Sequence, residues 1–250
     1  MSRAIAAELF KLRTTRTSWA VTLGSVGLVV IISLIAALTA EFTDGAADES
    51  PGSDLMQIGG LVQIFALVLG ILSVATEFRH GTITPSLLAV PERARLVVAK
   101  LVGALAAGAL LGLLAAGLCA VIVLPLLSSR DIAAELDSGE VVELIAGNTA
   151  ACALYAAIGV GLGAVIRNQV GAIIGALGWI FLIEPLLTLI PGFEDVITRW
   201  FPTGAANALA GTATSSDALD QIPAGLLLAL YAALFVAAGL FVLRDRDVSA

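Results

Sequence analysis

LVVAKLVGALAAGALLGLLAAGLCAVIVLPLL, residues 96–127, decides how this chain folds. Its 32 residues carry one charge, Lys100, and that lies near the start. A helix that is apolar all round has no face to offer water. A hydrocarbon layer of about 30 Å is crossed by roughly 20 helical residues at about 1.5 Å each. The stretch is therefore a membrane-spanning helix, long enough that its first turns lie at the membrane surface or the whole helix tilts.

Working outward, five more apolar blocks occur at residues 19–40, 55–76, 142–166, 170–190 and 222–243, separated by polar or Pro/Gly-rich segments. The chain is 59% hydrophobic and 13% charged, more apolar than one soluble core of 250 residues requires. The first block follows the basic segment KLRTTRTSW and so resembles a secretory signal. A signal core is only about 7 to 15 residues and ends at a small-x-small cleavage site. This block has 22 residues and runs into LTAEF, which makes it a retained span. The expected fold class is all-α: one transmembrane domain over residues 1–250, a polytopic integral membrane protein with six transmembrane helices.

Lys and Arg are retained on the cytoplasmic side of membrane proteins. With the N-terminus inside, Arg3, Lys11, Arg13, Arg16, Arg79, Arg93, Arg95, Lys100, Arg167, Arg244 and Arg246 are cytoplasmic, and only Arg130 and Arg199 are outside. Both termini are then cytoplasmic. The acidic runs DGAADESPGSD and RDIAAELDSGEVVE fall on the outer side.

The same distribution excludes several functions. The net charge of -7 and the lack of a large basic cluster argue against nucleic acid. Cys119 and Cys152 lie inside apolar blocks, away from oxidising machinery. A single histidine, His80, cannot build a zinc site with two buried thiols. The chain has no G-x-x-x-x-G-K-[ST], G-x-S-x-G or H-E-x-x-H run, so no ATP site of P-loop type, no catalytic residues and no cofactor of its own are expected. Small-xxx-small pairs at Gly108/Gly112, Gly159/Gly163 and Gly171/Gly175 point to close helix packing, within the chain or between subunits.

Three places carry chemistry. Residues 2–13 read as an amphipathic helix with Ile5, Leu9 and Leu12 on one face and Arg3, Glu8 and Lys11 on others, lying in the interface plane. They also read as an ordinary basic flank. The loop EFRHGTITPSLLAVPERARLVVAK, residues 77–100, combines charge, a Gly-Thr break and an apolar run. Gly81 can stop the second helix, and Thr82 can cap a short one bearing Ile83, Leu87 and Leu88. A docking surface and a turn resting on lipid both fit. Glu184 lies inside the fifth block, where a carboxylate is costly unless it faces a cavity or a partner, or unless Pro185 lets it reach the headgroups.

ELFKLRTTRTSW, then E-F-R-x-G-T, then L-L-x-x-P and a lysine opening the third span together resemble the permease subunits of type-2 ATP-binding-cassette (ABC) exporters, over essentially the whole chain. The resemblance implies an interfacial elbow helix within residues 1–18, with Glu8, Lys11, Arg13 and Arg16. It implies a cytoplasmic coupling loop at 77–95, with Glu77, Arg79, Gly81, Thr82, Leu87, Leu88, Pro91, Arg93 and Arg95 toward a separate ATPase that holds ATP and Mg. It further implies a dimer with a second permease copy or a paralogue, and an extracellular re-entrant segment at 191–221. A bacterial inner-membrane location follows. Glu184 is then a candidate pathway residue. A secondary transporter with an inverted repeat, and a membrane scaffold or immunity protein, are the alternatives. The shortage of intramembrane ionisable groups counts against the first of these.

Overall fold

A computed structural model describes residues 2–39, 57–82, 85, 92–129, 136–213, 215 and 217–245. Every regular element among them is a helix. Helices α1 (Ser2–Thr14) and α2 (Arg16–Thr39) are separated by Thr15 alone. A 3-10 turn, Gln57–Leu61, leads into α3 (Val62–Arg79), followed by α4 (Arg93–Ser128) and α5 (Ser138–Ile166). Next come α6 (Gln169–Gly178), a π-helical turn (Trp179–Ile183) and α7 (Glu184–Leu187). The chain closes with α8 (Glu194–Trp200), α9 (Pro202–Leu209) and α10 (Gln221–Asp245).

Among the described residues, six stretches are long and apolar enough to cross a membrane: Arg16–Thr39, Gln57–Arg79, Ala94–Ser128, Ser138–Ile166, Gln169–Thr188 and Gln221–Leu243. They match the six expected blocks to within a few residues. The long third block is one unbroken helix, α4, of 36 residues and about 54 Å.

Helix α5 is the hub, packed against α3, α4 and α10. It can be approached closely because its contact positions are small. A Cβ on Gly70 would strike the carbonyl of Ala156, and one on Gly159 the carbonyl of Leu67, so α3 and α5 meet backbone to backbone. Gly108 and Gly112 do the same for α4 against Cys152 and Asn148. Two of the three small-xxx-small pairs thus serve crossings inside the chain. The third pair differs: Gly175 has nothing within 4 Å of an added Cβ, and Gly171 meets only its local neighbours Ile166 and Asn168.

The ends of the helices follow their local chemistry. Asp137 and Glu140 form a reciprocal capping box at the start of α5. Helix α3 stops at Gly81 (φ +67°), whose N–H bonds Phe78 O while the N–H of Thr82 bonds Glu77 O at 2.9 Å. That is the paired closure a left-handed glycine permits. In the fifth span, Pro185 has no N–H to give Phe181, and its ring crowds that carbonyl. The helix widens just before it, with Glu184 N–H bonding Trp179 O five residues back.

Between the fifth and sixth apolar helices the chain forms the short pair α8 and α9, with Phe201 extended between them and Pro202 opening α9. Helix α9 packs on α10 and α5.

Candidate functional site

Polar side chains gather at the two ends of α3, around Glu77 and around Gln63, about 21 Å apart along the helix. At the Glu77 end, Lys100 of α4 is 3% exposed and has three acceptors. Its ammonium donates to Glu77 Oε1 at 2.7 Å, Glu8 Oε2 at 3.2 Å and Ser73 O at 3.0 Å, which uses all three of its protons. Lys11 Nζ lies 2.8 Å from both Glu8 Oε1 and Glu77 Oε1. Two carboxylates and two ammoniums therefore form a net-neutral knot joining α1, the end of α3 and the start of α4. Burial acts to lower the Lys11 pKa, but the hydrogen bonds and charges of Glu77 and Glu8 outweigh it and hold the ammonium above the ordinary lysine value.

This arrangement turns Glu8 of the first helix inward. Glu8, expected on another face than Leu9, is 7% exposed, whereas Leu9 is 37% and Phe10 67% exposed. The bundle-facing side of α1 is chosen by the need to neutralise Lys100, and Gly103 leaves room for it: a Cβ there would sit 3.4 Å from Glu8 Cβ. An open cavity of about 540 Å³ adjoins the knot, with Thr15, Ser18, Thr76 and Glu77 in its wall.

The residues expected to face an ATPase divide. Glu77 is 7% exposed and its Oε1 takes both ammoniums, so it is held inside the bundle. Arg79, Gly81 and Thr82 are on the surface, where Arg79 Nη1 meets Gln169 Oε1 at 3.4 Å. Arg95 is exposed and pairs with Glu92 at 2.6 Å. Arg13 and Arg16 are exposed as well. Leu87, Leu88, Pro91 and the side chain of Arg93 lie outside the described residues.

Arg167 ends α5 in the left-handed region (φ 56°). Its guanidinium stands 5.4 Å over the Phe78 ring, and Nη2 donates to Val242 O at 2.6 Å. Lys11, Arg79, Lys100 and Arg167 are thus brought to one end of the bundle by direct contacts. Arg199, by contrast, donates to Asp217 O in the segment between α9 and α10.

At the Gln63 end, Glu184 is 4% exposed and turned inward. The headgroup-reaching alternative opened by Pro185 does not hold: the widened turn aims the carboxylate at the bundle. Trp179 Nε1 donates to Glu184 Oε1 at 2.7 Å, and the Thr203 hydroxyl lies near that carboxylate. Tyr155 OH donates to Thr203 Oγ1 at 3.4 Å. Below them Gln63 Nε2 reaches Asn148 Oδ1 at 3.5 Å, and Asn148 Nδ2 donates to Gly112 O at 3.2 Å. Trp179 stacks on Phe201 with centroids 6.0 Å apart.

Sequence reasoning found Glu184 but missed Tyr155, Thr203, Gln63 and Asn148, and it left Lys100 without partners. Lys100 had a signal: a lysine inside an apolar block requires a carboxylate nearby.

No family model matches the chain, and no curated protein matches it.

Proposed function

We propose that the chain is the membrane-spanning permease subunit of an ATP-driven ABC exporter, forming half of a translocation pathway and coupled to a separate ATPase. In this reading the six apolar helices lie in a bacterial inner membrane with both termini cytoplasmic. Helix α1 is an interfacial elbow, and α8 and α9 form a re-entrant pair on the outer side. A second copy or a paralogue completes the pathway, and the α6 span, only 11% buried, has free surface for it.

The observation that carries the reading is the Glu8–Lys11–Glu77–Lys100 knot. Force applied to the loop after α3 by an ATPase needs a stiff route into the spans. The knot ties that loop's root to α1 and α4 through charge-assisted bonds, buried at Lys100 and half-exposed at Lys11. Arg79 is the exposed contact and Glu77 the internal strut.

The test is reconstitution with an ABC ATPase, sought as the product of a neighbouring gene. Arg79→Glu should leave the permease monodisperse while ATPase co-purification falls by about tenfold or more, the loss expected when a charge-assisted bond worth about 1.5–3 kcal/mol is reversed. An ATPase that never associates with the unaltered chain sinks the proposal.

The buried carboxylate and polar groups around Glu184 favour an ion-coupled carrier as the second reading. Uptake or efflux driven by an ion gradient in liposomes without ATPase or ATP would select it.

A further inference from the structure

A cavity of about 180 Å³ opens at the Gln63 end of the bundle, walled by Gln57, Gln63, Tyr155, Thr203, Asn207 and Thr212. We propose that it is a binding site for a small protonated amine, with the Glu184 carboxylate behind Thr203 as the counter-charge.

The hydrogen bonds on its wall fix the polarity of the occupant. Tyr155 OH donates to Thr203 Oγ1 at 3.4 Å, the Thr203 hydroxyl lies near the Glu184 carboxylate, which attracts its proton, and Thr212 donates to Asn207 O at 3.2 Å. Gln63 directs its amide N–H toward Asn148. The three hydroxyls then have lone pairs to offer the cavity, and the amides of Gln57, Gln63 and Asn207 carry a carbonyl oxygen beside their N–H donors, so a donor is the occupant that every polar group of the wall can accept. Charge points the same way. No Lys, Arg or His lines the cavity, and Glu184 has no ion-pair partner among the described residues. A carboxylate at that depth calls for a positive neighbour and repels an anion. Size bounds the ligand: a cavity of about 150 Å³ holds one benzene-sized molecule, whereas drug-sized ligands fill about 300–1,000 Å³. The site therefore accepts an alkylammonium group of a few heavy atoms, free or at the end of a larger molecule.

That this group belongs to the cargo rests on the transport reading; that it binds does not, and the assay contains no ATPase. The full chain, with Trp19→Phe and Trp200→Phe so that Trp179 is the remaining indole, is titrated in nanodiscs with ethylammonium, ethanol or acetate. Trp179 emission and saturation-transfer NMR of the probe methyl group are both followed. Ethylammonium should bind saturably, at least about tenfold more tightly than ethanol, and acetate should not bind. Glu184→Gln keeps an acceptor for Trp179 and should erase the preference, as should Thr203→Val. Equal binding of ethanol and ethylammonium, no saturable signal by either readout, or full selectivity retained in Glu184→Gln would overturn the assignment. If Glu184→Gln does not fold, the ethylammonium-to-ethanol ratio on the unaltered site decides.

Discussion

Lys100 is the eighth residue of a 36-residue apolar helix, and its ammonium finds three acceptors without reaching water. Removing one member of such a buried set strands the others. Lys100→Ala should cost about 3–5 kcal/mol in denaturant unfolding of the detergent-solubilised protein, because Glu8 and Glu77 then share only the half-exposed Lys11. The Glu77→Ala/Lys100→Ala double variant should lose less than the sum of its singles, with a coupling of about 0.5–3 kcal/mol. Additive losses would mean the charges do not sense one another. Beyond the local pair Glu8–Lys11, none of this was legible in local sequence, since the other pairs span 23, 66 and 92 positions. Only the presence of an unmatched lysine in an apolar block was there to be read. Glu184 was legible for the same reason: a carboxylate stands out among Leu and Ile, whereas Tyr155, Thr203 and Gln63 are unexceptional until the fold brings them together.

At the level of elements, glycine sorts the helices into those that touch and those that stand open. Gly70→Leu drives a side chain into the Ala156 carbonyl, and with no room to shift, α3 and α5 must part. At Gly175 an added Cβ meets nothing within 4 Å, so the leucine of Gly175→Leu starts into open space. Gel filtration of the two variants should give aggregated or absent protein for the first and a folded bundle for the second. A well-folded Gly70→Leu would contradict the packing of α5. The six long helices were readable because apolar length is a local property that any spanning helix must have. Their partners were not: Gly159/Gly163 and Gly171/Gly175 share one spacing, yet only the first pair faces another helix of this chain. The π-turn before Glu184 was half legible. Pro185 announced a break, but not that the break would widen the helix and keep the carboxylate inside.

For the whole molecule, direct contacts collect Lys11, Arg79, Lys100 and Arg167 at one end of the bundle, and α8 and α9 stand at the other. In the proposed orientation that basic end is cytoplasmic. Tags inserted near residues 48, 137 and 213 should be labelled by a membrane-impermeant reagent on intact cells, and tags at either terminus should not. Protection of any of the three sites would contradict the six-span topology. The charge asymmetry along the sequence put those four basic residues on one side because each loop returns to the same side every second crossing. It gave no hint that the basic end would also be the end where α1 is locked to the bundle.

Because α4 is continuous and is pinned at Lys100, it has the proportions of an unequal lever. From Arg93 to Lys100 the short arm is about 10 Å, and from Lys100 to Ser128 the long arm is about 42 Å. A rigid rod turning about that point, carrying with it the α5 backbone that it meets at Gly108 and Gly112, multiplies displacement about fourfold. A nudge of about 1 Å where the loop meets Arg93 would become a swing of about 4 Å at the opposite end of the bundle.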